Sequence, residues 1–349
     1  MKKIKINSLT NDIYYGSNFS KDISEILKMK LWQYKNIILF TGKNFFKNSV
    51  YYDRLLKIIN KNNLNISLQV SVESNPKLIE IENINKQIAN KDATLFLVVG
   101  GGSVLDFAKA CKLYSLSDVQ IFSIYTTLGS ASIVSPFTVY DNDEFKIGDY
   151  SEKIIPELVY INTEIVSSVP KIFLNAGIVD IFGHAVESYY SKVANETTRK
   201  NAFNSLVFLN EFITGGKIIN LIFSDIYAGL SEREAIILIP HALGHFITHK
   251  YKITHGYANY MFMEDFLNLL RKNNIKIEDI ILEVMLKLPE FKIKEFISAE
   301  LSESDLVLIK KYMGFAFDNC PFAFLENNDI IKLYSNSIKK YVGPTKQSY

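Results

Sequence analysis

The stretch 97-LVVGGGSVLDFAKA-110 decides the fold. An apolar run breaks at three consecutive glycines and gives way at once to helical spacing, so a strand, a tight turn and a helix follow one another without a linker. Gly100, Gly101 and Gly102 let a ligand approach the backbone closely. Their N–H groups, with the helix N-terminus behind them, form an anion site suited to a pyrophosphate. Ser103 is placed to cap the helix and to donate to a phosphate. The motif is neither GxGxxG nor GxxxxGK[ST]. Asp106 and Lys109, three apart on one helix face, also fit a plain solvated ion pair.

Outward from this turn, the same alternation fills the first half of the chain. Strands are expected at 36–42, 66–72, 94–100 and 119–125, with helices near 45–61, 76–90 and 103–115. Apolar, uninterrupted strands separated by helices indicate a parallel sheet covered on both faces. Further β segments follow at 134–140 and 157–162. Beyond them strand signals fade, and helical periodicity runs through 170–213, 229–249, 257–273 and 277–297. Pro170 is well placed to open a helix, because its missing N–H is no loss in the first turn. The division predicted is an α/β domain over residues 1–162 and an all-helical domain over 163–349.

Composition narrows the class of function. With 48% apolar and 22% charged residues and a net charge of +2, the chain reads as a soluble globular protein. It lacks the basic stripe that nucleic acid requires. No apolar run approaches the ~18 residues of a membrane helix, and none of signal-peptide length follows the basic start. Cys111 and Cys320 stand in no metal or redox spacing, which fits a reducing compartment. The expectation is a cytoplasmic protein without nucleic-acid or membrane partners.

A second loop, 126-TTLGSASIVS-135, gathers Thr126, Thr127, Ser130 and Ser132 around Gly129. Hydroxyl-rich loops after parallel strands lie at the carboxyl edge of the sheet, where open α/β folds bind ligands. The five histidines are concentrated further on. Asp180 and His184 are four apart, as are His241 and His245, and His255 follows directly before Gly256. Each i, i+4 pair projects from one helix face. Two such helices can converge on one divalent cation, and imidazole nitrogen with a carboxylate oxygen suits Fe²⁺ or Zn²⁺. Spacing alone leaves buried structural histidines as the alternative.

Taken in order, these segments resemble the iron-containing (group III) alcohol dehydrogenase superfamily over almost the whole chain. Gly100 to Lys109, GGGSVLDFAK, matches that family's GGGSxxDxAK loop. Residues 126–139 look like its TTxGTGSEVTPFAV segment, 170–191 like its P-x-aaxGxDAxxHAxEaY stretch, and His241 to Gly256 like its two-part histidine motif. The resemblance implies a Rossmann-like dinucleotide-binding domain followed by a helical metal-binding domain, the architecture shared with dehydroquinate synthase. It implies Asp180, His184, His241 and His255 as metal ligands, His245 in the substrate pocket as a proton relay, and Lys146 near the cofactor. It also implies a small aldehyde or alcohol as substrate and a homodimer or larger homo-oligomer. Residues 155–159, 255–267 and 318–334 are similar to 4-hydroxybutyrate dehydrogenases, which interconvert succinic semialdehyde and 4-hydroxybutyrate.

Three departures stand out. Ala131 replaces a family glycine, Ile133 replaces a glutamate, and 230-LSEREAIILIP-240 puts charge where the family has small residues. Gly42 ends the strand 36–42, where an acid would bond a ribose 2′-hydroxyl. Without that acid a 2′-phosphate is not repelled and Lys43 favours it, so NADP(H) is expected to be accepted alongside NAD(H). The expected activity is metal-dependent NAD(P)(H) alcohol dehydrogenase, acting as an aldehyde reductase. The alternatives are a dehydroquinate-synthase-like or glycerol-dehydrogenase-like metalloenzyme, or a catalytically degenerate cofactor-binding homologue.

Overall fold

The computed structural model describes every residue except 32, 44–47, 116–118, 294–296, 323, 324 and 342–349. Residues 45–47 and 294–296 of two expected helices lie outside the described residues, as do 323 and 324 of the segment 318–334. The chain forms two compact units, Met1–Asp143 with Ile147–Pro170, and Glu144–Lys146 with Lys171–Tyr349.

Nine strands are described: β1 (Lys2–Lys3), β2 (Asp12–Gly16), β3 (Asn36–Gly42), β4 (Asn65–Val72), β5 (Leu95–Gly100), β6 (Gln120–Tyr125), β7 (Phe137–Asp141), β8 (Lys146–Tyr150) and β9 (Leu158–Asn162). Seven of them make one sheet in the order β1-β2-β9-β6-β5-β3-β4, while β7 and β8 form a separate pair. Every pairing in the large sheet is parallel except that of β1 with β2. The central strands β5 and β9 are buried at every position, as strands covered on both faces must be. Helices α1 (Phe19–Lys30), α2 (Val50–Lys61), α3 (Leu78–Ile88), α4 (Gly102–Leu113) and α5 (Thr163–Ser167) complete this unit.

Register fixes what the carboxyl edge presents. Thr41 pairs with Val99, and Gly100 with Tyr125, so Gly42, the glycine turn and the loop from Thr126 leave the sheet side by side. The expected division after Asn162 moves to Pro170. Asn162 caps α5 through its side chain, and Ile165 of that helix packs into the same core as Phe122, Leu158 and Tyr160. The chain therefore leaves the α/β core only after α5.

The second unit is helical: α6 (Lys171–Tyr190), α7 (Glu196–Ile213), α8 (Ile218–Glu232), α9 (Ile239–Tyr251), α10 (His255–Tyr260), α11 (Met263–Lys272), α12 (Asp279–Met285), α13 (Glu303–Asp318) and α14 (Asn327–Tyr341). Pro170 stands just ahead of α6, and α6 is buried without a break from Ala176 to Ser188, which makes it the axis of the unit. Several expected helices are shorter than periodicity suggested. The span 170–213 breaks before α7, where Asn195 accepts from Thr198 N and starts a new helix. The span 229–249 breaks between α8 and α9, whose first turn holds Pro240. The span 257–273 divides at Met261, and among the described residues of 277–297 the helix is α12, with Pro289 shortly after its end.

Candidate active site

At the carboxyl edge of the sheet, α4 opens on the glycine turn with Gly101 as its N-cap. Ser103, expected as the cap, therefore lies inside the first turn, one residue past Gly102, because the helix begins earlier than its sequence signal. A Cβ at Gly101 would collide with Thr127 Oγ1, and one at Gly102 with the side chain of Ser130. These glycines thus seat the second loop against the start of α4. Hydrogen bonds hold it there. Ser132 Oγ donates to Asp106 Oδ1 at 2.6 Å, Thr138 Oγ1 donates to the Asp106 carbonyl at 2.7 Å, and the Tyr125 and Ser130 hydroxyls meet at 2.6 Å. Thr126 N bonds Gly100 O at 3.0 Å.

Lys109 is not the solvated residue that a plain surface ion pair would require. It is fully buried, and its ammonium donates to the carbonyls of Ser135 and Phe137 at 2.8 and 3.0 Å. The two departures in this loop are absorbed structurally. Ala131 takes a left-handed φ of 57°, which explains a glycine preference at that position. Ile133 is fully buried and its carbonyl accepts from Asn11 Nδ2 at 2.8 Å. At the end of β3, beyond Gly42, Lys43 is ion-paired with Glu73, and both are exposed.

In the helical unit, α6, α9 and α10 bring the histidines together. The close approach depends on small residues. A Cβ at Gly244 in α9 would collide with Asn259 Oδ1 of α10, and one at Gly256 in α10 with the Ala176 carbonyl of α6. One ligand atom from each of Asp180, His241 and His255 lies within 4.8 Å of the others. The rings of His245 and His255 are 5.0 Å apart, and those of His184 and His241 4.6 Å apart. His184, expected as a fourth ligand, borders the group rather than falling within that 4.8 Å. Its Nε2 faces Glu232 Oε1 at 4.0 Å. His249 stands apart, with its ring stacked 6.0 Å from that of Phe145. Lys146, expected near the cofactor, belongs to this unit, is buried, and places its charge where His245 and His255 feel it.

Two residues that spacing could have revealed organise the cluster. Glu187 lies seven positions after Asp180 and three after His184, on the same face of α6. One of its oxygens bonds His241 Nδ1 at 2.5 Å, and the other accepts from Leu238 N at 2.6 Å, closing the N-terminus of α9. Asn259 lies four after His255 on α10. Its amide donates to Asp180 Oδ1 at 2.8 Å and to His255 Nε2 at 3.0 Å, which ties the two side chains together and leaves His255 Nδ1 without a hydrogen-bond partner.

A cation fits this donor set. His241 is 1% exposed, and with Nδ1 held by Glu187 its Nε2 has no hydrogen-bond partner but points at Asp180 Oδ1, 3.8 Å away. A buried polar atom left unpaired costs about 1–3 kcal/mol, which an ion bound there would recover. Burial disfavours charge on His241, but Glu187 outweighs it and raises the group to about 9. Burial, followed by the charge of Lys146, holds His245 and His255 well below the usual imidazole range. Burial pushes Asp180 above the usual carboxylate range.

The iron-containing alcohol dehydrogenase family model matches residues 10–163, and the C-terminal model of the Fe-containing alcohol dehydrogenase family matches residues 175–304. The chain belongs to the iron-containing alcohol dehydrogenase family. It is similar to alcohol dehydrogenase 4 of Saccharomyces cerevisiae, 23% identical over 272 residues that cover 70% of each chain. It is also similar to 4-hydroxybutyrate dehydrogenase of Clostridium kluyveri, 29% identical over 228 residues, 57% of this chain and 62% of that one. The solved structure of an iron-containing alcohol dehydrogenase from Thermotoga maritima shares the fold with a TM-score of 0.78, at 20% identity over 94% of this chain and 98% of that one. The family's two-part organisation, α/β then helical, is thus present here. Among the described residues no helix is long and apolar enough to cross a membrane.

Proposed function

We propose that this chain is a metal-dependent NAD(P)(H) alcohol dehydrogenase that reduces a small aldehyde to a primary alcohol. The observation that carries the reading is the convergence of Asp180, His241 and His255, with the buried Nε2 of His241 left open toward Asp180. Asp180, His184, His241 and His255 would hold Fe²⁺ or Zn²⁺. Bound there, the cation supplies Lewis-acid polarisation of the carbonyl oxygen, and a nicotinamide cofactor supplies the hydride. Glu187 fixes the tautomer and direction of His241, as carboxylates do behind metal-binding imidazoles. His245, kept neutral by burial and by Lys146, accepts a proton at a ring nitrogen in alcohol oxidation and returns it in aldehyde reduction.

The turn Gly100–Gly102, with Ser103, Asp106, Thr126, Thr127, Ser130 and Ser132 around it, is the proposed pyrophosphate site. The backbone N–H groups at the start of α4 make the anion contact, and Ser132 with Asp106 holds the two loops together. Because Lys43 is paired with Glu73 beyond Gly42, cation and anion offset each other there, and the reading is that NADH and NADPH are both used. Ala131 and Ile133 are accommodated by the loop, which favours a working enzyme over a degenerate homologue. Lys146 against His245 and His255 is the cation that a carboxylate-bearing aldehyde of the succinic semialdehyde type requires.

The test is His255→Ala. Turnover of small aldehydes should be abolished while NAD(P)H binding, measured by fluorescence, stays at the wild-type level. Wild-type turnover by that variant after chelator treatment would refute the reading.

A further inference from the structure

The charged stretch at the end of α8 departs from the family pattern, and one of its residues turns into the histidine cluster. Glu232 is the last residue of α8, and its side chain is only 15% exposed. A carboxylate at that position stands at the negative end of the helix dipole, where a cation nearby is favourable. His184 Nε2 of α6 stands 4.0 Å from Glu232 Oε1. The Glu232 charge also reaches Asp180 and His241. Opposite it, His241 Nε2 is buried and without a hydrogen-bond partner.

Distance decides whether two atoms can serve one ion. With ligand bonds of ~2.0–2.2 Å, two ligand atoms on the same ion can be no more than about 4.4 Å apart. The His184–Glu232 separation of 4.0 Å satisfies this, as does the 3.8 Å between His241 Nε2 and Asp180 Oδ1. Charge points the same way. Asp180, Glu187 and Glu232, when ionised, bring three negative charges, which a divalent cation and the Lys146 ammonium balance with the imidazoles neutral.

We propose that Glu232 is an additional oxygen ligand of the metal centre, on the His184 side, so that the centre carries two carboxylates rather than one. The proposal rests on the metal reading above. A second carboxylate shifts a nitrogen-rich site toward cations that favour oxygen donors and more than four ligands, such as Mn²⁺ and Fe²⁺, and away from tetrahedral Zn²⁺.

The experiment measures Mn²⁺ and Zn²⁺ binding by calorimetry to the chelator-treated full chain, in wild type, Glu232→Gln and Glu232→Asp, with the absorption spectrum of the Co²⁺-loaded proteins as a second readout. Glu232→Gln should weaken Mn²⁺ about 10- to 100-fold, weaken Zn²⁺ less, and strengthen the Co²⁺ visible bands as the ion loses a ligand. Glu232→Asp keeps the charge but shortens the reach, so it should behave like Glu232→Gln. Wild-type Mn²⁺ affinity and Co²⁺ spectrum in Glu232→Gln would overturn the proposal. Wild-type behaviour of Glu232→Asp would also overturn it, because charge without reach would then suffice. If the wild-type chain binds no ion, the metal reading itself fails, and the proposal with it.

Discussion

The two candidate sites differ in what their polar groups are doing. At the glycine turn, the side chains that first suggest a ligand are already engaged with one another: Ser132 with Asp106, Ser130 with Tyr125, and Lys109 with two carbonyls. A cofactor there would meet mainly the backbone of the turn. In the helical unit, His241 and His245 are buried with ring nitrogens that have no hydrogen-bond partner, Nε2 of the first and Nδ1 of the second. One region is a scaffold whose side chains shape a surface, and the other is a donor set whose side chains are themselves the surface. Substitutions should therefore act differently in the two: through ligand affinity in the helices, and through fold and loop position at the turn.

The largest effect expected from this contrast is at Glu187. Glu187→Gln removes the charge behind His241 while leaving its shape, and should weaken metal binding about 10- to 100-fold. The same residue sets the pH dependence. His241 titrates at about 9, above its ordinary value, so below that pH a metal must displace its proton. Wild-type affinity should thus rise with pH up to about 9 and then level off. His245 and His255, held well below the usual range, add nothing to this slope near neutrality. In Glu187→Gln the levelling should move to lower pH. A variant whose affinity and pH profile match the wild type would show that His241 does not need its carboxylate partner.

A smaller effect is expected at Gly101. Gly101→Ala drives a methyl into Thr127 Oγ1 and should cost about 1–3 kcal/mol of stability, with the loss seen in thermal unfolding. Metal affinity should be unchanged, and adding Thr127→Ala should restore most of the loss. A fall in metal affinity in this variant would erase the contrast between the two regions. Smallest is Ala131→Gly, which relieves a left-handed alanine at the expense of unfolded-chain entropy, for a net gain of at most about 1 kcal/mol. A clear loss of stability there would show that the alanine methyl is needed for packing.

Much of this was legible in the residues. The run from 97 to 110 specified strand, turn and helix, and the i, i+4 pairs at Asp180/His184 and His241/His245 specified which faces would meet. Glu187 and Asn259 follow the same helical periodicity and were missed because an acid and an amide on an apolar helix have many uses. Helix breaks at 191–195 and 233–238 were hidden for a related reason. The apolar pattern continues across them, and the bonds that end and restart the helices come from Asn195 in one case and from Glu187, far away in sequence, in the other. Lys43 suggested a 2′-phosphate partner because its pairing with Glu73, thirty residues on, is invisible to local reading.

The most direct test is to strip the protein with chelator and add Fe²⁺ back anaerobically in measured steps, following NAD(P)H oxidation with a small aldehyde. No turnover is expected without the ion, followed by a linear return of activity that levels at one ion per chain. Full turnover in excess chelator, with no ion retained, would contradict the metal reading.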